Sequence, residues 1–121
     1  MLALGVALAA GLGAVCRYLL DEVVSHRTSG AFPWGTFSVN VTGSFVLGLV
    51  VGLAAHHGLG GDAATVVGAG FAGGYTTLST WAWESFELTR EGAAGIADAN
   101  VLLSLAAGMA AAAAGLGLAL L

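Results

Sequence analysis

The stretch Gly70-Phe71-Ala72-Gly73-Gly74-Tyr75-Thr76-Thr77-Leu78-Ser79-Thr80-Trp81-Ala82-Trp83-Glu84 decides how this chain is read. It lies in an apolar run that begins at Ala63, yet it carries three glycines, four hydroxyls (Thr76, Thr77, Ser79, Thr80) and a carboxylate, groups that hydrocarbon rejects. The paired Gly73-Gly74 weakens a helix by up to about 1 kcal/mol per glycine relative to alanine, so the pair predicts a break. Backbone freed by a break is tolerated at membrane depth only where protein, ions or water satisfy it, so the break predicts a site. At about 100° per residue, Thr76, Thr80 and Glu84 fall on one helical face, flanked by Thr77 and Ser79, while Leu78 and Trp81 point elsewhere.

The rest of the composition agrees with a membrane setting. Of 121 residues 58% are hydrophobic and 8% charged, and the mean hydropathy is +0.92, which is too apolar for a soluble domain of this size. Four runs are long enough to span, roughly 2–20, 35–55, 63–83 and 96–121, a span needing about 20 apolar residues. The expectation is an all-α membrane protein, with residues 1–121 forming one four-helix transmembrane domain whose third helix is broken near Gly73-Gly74. No Lys or Arg precedes Arg17, so the first run reads as a retained helix rather than a cleaved signal peptide. The single cysteine, Cys16, reads as packing. Three dispersed cations in a chain of net charge -4 argue against a nucleic-acid partner.

In the first run Gly5, Ala9, Gly13 and Arg17 recur every four residues, so the small residues line a face that packs on protein. Arg17 is either a snorkelling cation near the helix end or a buried cation holding a loop or subunit. Residues 21–34 read as a solvent-facing loop, with Pro33 opening the second helix and Trp34 at the interface. In the second run Thr36, Asn40, Gly43 and Ser44 form one polar stripe, and Ser38 and Thr42 another. Asn40 is read either as an interhelix hydrogen-bond partner or as a pore-lining amide. Gly48 and Gly52 make a small-residue contact for a neighbouring helix. The His56-His57 turn and residues 85–95 read as connections, with Arg90 placed to pair with Glu87. In the last run Asp98, Asn100 and Ser104 give way to a smooth Ala, Gly and Leu helix with Ser104, Gly108 and Ala112 on one face.

Three segments together resemble the Fluc/CrcB family of bacterial fluoride channels. They are Gly11-Leu12-Gly13-Ala14-Val15-Cys16-Arg17-Tyr18, Pro33-Trp34-Gly35-Thr36-Phe37-Ser38-Val39-Asn40-Val41-Thr42-Gly43-Ser44-Phe45, and Gly70 to Trp81 with Glu84. The resemblance implies a multi-pass protein of the bacterial cell membrane, bathed in membrane lipid. It implies an antiparallel dual-topology dimer and a fluoride pathway that includes Asn40, Leu78, Ser79, Thr80, Trp81 and Ser104. It further implies a structural sodium ion at the dimer centre, held by the backbone carbonyls of Gly73 and Thr76, and structural roles for Arg17 and Glu84. The implied function is passive export of fluoride, with no enzyme chemistry. Where the family typically has phenylalanines this chain has Leu78 and Trp81, and of the fourth-helix hydroxyls only Ser104 remains.

Two other readings stand beside this one. A small multidrug-type transporter normally needs a carboxylate inside the first helix, and none precedes Asp21. A partner subunit of a heterodimeric channel is suggested by the cations. Arg27 and Arg90, with Arg17 near them, fall on one side of the four expected spans, and the other side has no Lys or Arg. That bias favours one orientation, with both termini outside, and pairing with a second copy or homologous subunit inserted oppositely.

Overall fold

The structure is a computed structural model that describes every residue from Met1 to Leu121. It is all helical. The elements are α1 (Leu2–Arg27), α2 (Trp34–His56), α3 (Gly61–Thr65), a π-helical stretch Val66–Ala72, α4 (Gly73–Tyr75), α5 (Ser79–Arg90) and α6 (Ala94–Leu118). Helices α1, α2 and α6 are each long and apolar enough to cross a membrane. The segment between α2 and α6 is divided, so no single helix in it reaches that length.

Helix α1 runs through residues expected to be loop. Its polar end pays its own way through pairs one turn apart: His26 Nε2 meets Glu22 Oε1 at 2.8 Å and Ser25 Oγ donates to Asp21 Oδ1 at 3.4 Å. Thr28 turns to extended backbone (φ -120°, ψ 158°) and ends the helix, its hydroxyl donating to the Val24 carbonyl at 2.8 Å. Helix α5 likewise continues to Arg90, which pairs with Glu87 at 2.7 Å. Pro33 caps α2 as its fixed φ suggests, and Phe32, Trp34 and Phe37 cluster with ring centroids 4.5 to 5.6 Å apart.

Small residues make the seams. Helix α1 packs on the π-helical stretch and α4, while α2 packs chiefly on α6. A Cβ built on Gly13 would overlap the Phe71 carbonyl, and one on Gly74 would overlap the Ala10 carbonyl, so backbone lies directly on backbone. Across the other seam Gly48 faces the Ala112 carbonyl and Gly115 the Phe45 carbonyl, equally without room for a methyl. With no hydrophobic drive between helices in lipid, such close approach supplies the dispersion contact that holds them. The opposite face of α1 presents Leu4, Leu8, Leu12, Val15 and Leu19, all exposed. Only 17 of 121 residues are buried, so the apolar exterior, not an interior core, dominates the chain.

The interruption of the third segment falls later than the glycine pair. Gly73 is helical (φ -64°, ψ -39°), and the chain leaves the helix at Thr76 (φ -80°, ψ 160°). Glycine is placed at 74 by the approach of α1, not by a need to bend. The widened turn ahead of it comes at Gly68 and Gly70, where the Gly73 N–H reaches back five residues to the Gly68 carbonyl.

Candidate functional site

The interruption is held open by Asn40. From α2, its Nδ2 donates to the Thr77 carbonyl at 2.9 Å, and its Oδ1 accepts from the Thr77 N–H at 2.9 Å. The amide thereby pairs with the main chain as a second peptide group would. Two helical bonds are displaced as a result. The Thr77 N–H, whose helical partner would be the Gly73 carbonyl, is taken by Asn40. The Thr80 N–H donates to Thr77 Oγ1 at 3.3 Å instead of to the Thr76 carbonyl. The carbonyls of Gly73 and Thr76 are thus released from their usual partners.

A cleft of about 340 Å³ opens beside this break. Asn40 and Ser44 form its α2 wall, Gly73 and Thr76 its floor, Leu78 and Trp81 its next wall, and Ser104 its α6 wall. Most of its hydroxyl protons are already committed. Ser44 Oγ donates to the Asn40 carbonyl at 2.7 Å, and Thr76 Oγ1 to the Ala72 carbonyl at 2.9 Å. The second N–H of Asn40 Nδ2 makes no protein hydrogen bond. Trp81 Nε1 donates to the Asn100 carbonyl at a long 3.5 Å. Leu78 is 74% exposed, so within this chain nothing covers it.

A smaller cavity of about 70 Å³ lies beyond Thr77, which lines both. It is bordered by Arg17, Asp21, Thr36 and Thr80. Thr36, buried at the start of α2, donates to Glu84 Oε1 at 2.8 Å and ties α2 to α5. Arg17 Nε and Glu84 Oε2 are buried without a hydrogen-bond partner, so Arg17 holds neither loop nor helix within this chain. Thr36→Val is expected to cost about 1–3 kcal/mol by leaving the Glu84 carboxylate short of its donor. A denaturation midpoint in detergent unchanged by that substitution would show the contact to be idle.

The polar residues expected on one face are therefore divided. Because the helix is interrupted at 76–78, the 100° spacing does not carry across it: Thr76 lines the larger cleft, Thr80 the smaller cavity, and Ser79 neither. The α2 stripe divides in the same way, with Asn40, Gly43 and Ser44 at the cleft and Thr36 at the cavity. Its second stripe also has a partner, since the Tyr75 hydroxyl donates to Thr42 Oγ1 at 2.7 Å, the Thr42 proton being committed to the Ser38 carbonyl at 2.7 Å. Sequence reasoning assigned no role to Asn100, which is completely buried and bonds Ser85 and Ser104. Its i, i+4 spacing to Ser104, on a helix otherwise nearly free of polar groups, was the available signal.

Comparison with known proteins gives this geometry its context. Residues 4–116 match the family described as CrcB-like protein, Camphor Resistance (CrcB). A Leifsonia xyli protein named Fluoride-specific ion channel FluC 1 is 50% identical over 91 residues, which is 75% of this chain and 66% of that relative. Fluoride-specific ion channel FluC 2 of Mycobacterium tuberculosis is 44% identical over 109 residues, 90% of this chain and 83% of the relative. Fluoride-specific ion channel FluC 1 of Symbiobacterium thermophilum is 46% identical over 115 residues, 93% of each. With a family match over nearly its whole length and three apolar helices long enough to cross a bilayer, the chain is a multi-pass membrane protein that belongs to the CrcB family.

Proposed function

We propose that this chain is a subunit of a passive fluoride channel, which lets fluoride leave the cytoplasm of a bacterial cell and so lowers its toxicity. The observation that carries the reading is the cleft at the helix break, with an uncommitted Asn40 N–H facing it, in a chain whose relatives are named fluoride-specific ion channels. An amide N–H replaces part of the water that a small anion gives up on entering a pore. Conduction of this kind makes and breaks no covalent bond. The path runs past Asn40, Leu78, Trp81 and Ser104, with Thr80 in the cavity beyond.

The divided segment supplies the fourth membrane crossing, and an antiparallel second copy or homologous subunit covers Leu78. The released carbonyls of Gly73 and Thr76 fit a hard monovalent cation, which takes oxygen ligands, and two subunits bring four of them to the dimer centre. A structural sodium ion there supplies the positive charge that satisfies these carbonyls. A second reading rests on Leu78, which has no positive ring edge to offer an anion: the chain is then the weakly conducting partner in a heterodimer.

Fluoride efflux from liposomes decides between these. Efflux from the chain alone supports the homodimer, efflux only with a homologous chain supports the heterodimer, and none in either case rejects the channel. Replacing sodium with a large organic cation is expected to dissociate the dimer and stop efflux. Indifference of both to that exchange rejects the sodium ion.

A further inference from the structure

Ser104 lines the cleft, and the direction of its hydroxyl proton follows from a chain of bonds behind it. Ser85 Oγ lies 2.9 Å from the Trp81 carbonyl, which only accepts, so the Ser85 proton goes there. Ser85 Oγ is then left to accept, and its neighbour at 2.9 Å must be the Asn100 Nδ2 donor. The Asn100 amide is thereby fixed, with Oδ1 turned toward Ser104. That oxygen only accepts, so Ser104 donates to it, at 3.3 Å. The last hydroxyl in the series has no second proton, and it presents lone pairs to the cleft.

On the reading of the cleft as an anion path, we propose that Asn100 is a positioning residue that fixes the direction in which the Ser104 hydroxyl faces the permeating ion. While the Ser85–Asn100–Ser104 series holds, donation falls to Asn40 and to the loosely held Trp81 N–H. Turning the Ser104 proton toward an anion leaves Asn100 Oδ1, fully buried, without a partner. Ser104 therefore donates only to an anion that accepts strongly enough to replace that bond. Asn100 makes no contact with the ion itself. It lies outside the cleft lining, as does Ser85, so substitutions at Ser85 act through the series alone.

Removing the Ser85 hydroxyl frees the amide to turn over, so that Nδ2 donates to Ser104 Oγ and the Ser104 proton becomes available to the cleft. The test is a double-substitution cycle in liposome efflux. Ser104→Ala is expected to lower fluoride flux about tenfold more in the Ser85→Ala background than in the natural chain, the size of one hydrogen bond to an ion. An equal loss in both backgrounds, or a smaller one with Ser85→Ala, overturns the proposal.

A second measurement does not depend on conduction. Asn40 and Asn100 are the only asparagines and the chain has no glutamine, so the protein carries two side-chain NH₂ groups visible by NMR after ¹⁵N-asparagine labelling. Ser85→Ala is expected to move the Asn100 signals, and adding Ser104→Ala to move them again. Asn100 signals that ignore Ser104→Ala in the Ser85→Ala background overturn the proposal even if the flux cycle is unreadable. Absence of fluoride flux from the natural chain, alone and with a homologous partner, rejects the channel reading and leaves the NMR result to decide on Asn100.

Discussion

Asn40→Asp is expected to lower fluoride flux by about two orders of magnitude, since a hydrogen bond to an ion is worth about 1.5–3 kcal/mol and each 1.4 kcal/mol is tenfold. The substitution removes both amide protons. One of them has no protein partner, on a residue that lines the cleft, and the other binds the Thr77 carbonyl at 2.9 Å. Aspartate keeps the acceptor for the Thr77 N–H but sets its second oxygen against that carbonyl, lone pair to lone pair. The anion then meets a negative charge where it had a donor, and the break loses half of its clasp. The seams at Gly13, Gly74, Gly48 and Gly115 do not involve Asn40, so the helices stay packed. Flux measured with a fluoride electrode, beside a size-exclusion profile, separates the two effects. An assembled Asn40→Asp protein with undiminished flux would remove this amide from the path.

The second large effect is expected from two neighbouring glycines that behave oppositely. In Gly74→Ala the new methyl overlaps the Ala10 carbonyl, with Ala10 C and Cα at 2.8 Å, and no flexible side chain is there to yield. Helix α1 has to move off the third segment, at a cost of about 1–3 kcal/mol or more. At Gly73 the nearest atom to such a methyl is the Gly68 carbonyl oxygen at 4.0 Å, so Gly73→Ala is expected to change stability by less than about 0.5 kcal/mol. Thermal unfolding in detergent reads both. Equal melting temperatures for the two variants would show that the α1 seam is softer than its geometry implies. Because Gly73 faces the cleft, any loss of flux in Gly73→Ala with normal melting belongs to the path or to a partner.

The contrast between these glycines shows where the sequence is legible. Small residues at intervals of four, such as Gly5, Ala9 and Gly13 or Gly48 and Gly52, mark helix seams reliably, because only backbone approach requires that pattern in an apolar helix. The break is legible in kind, since polar groups in an apolar run need something to satisfy them. Its position is not, because it depends on Asn40 reaching Thr77 across 37 residues of chain, and propensity assigns it to the nearest weak point, Gly73-Gly74. Asn40 illustrates the same limit. Its two readings, interhelix partner and cleft donor, compete in the sequence, yet one amide has enough donors for both. The continuation of α1 to Arg27 was hidden because Asp21, Glu22 and His26 look like loop in composition and act as helix pairs in register.

The π-helical stretch Val66–Ala72 has a consequence for the genetics of the chain. A π turn holds one residue more than an α turn, so this stretch behaves like an insertion that the helix has absorbed. A codon lost from a purely α-helical stretch rotates everything downstream by about 100°, but one lost from this stretch lets the turn relax to α geometry and leaves the downstream phase unchanged. Gly74 then stays against Ala10, and Thr77 opposite Asn40. A codon gained or lost in the turn at 57–60 likewise shifts no helical phase, because Gly58, with φ of 69°, already lies outside the helices. Loss of a single codon among functional versions of this chain is therefore expected to collect in that turn and in the widened helix, and to spare the α-helical stretches on either side.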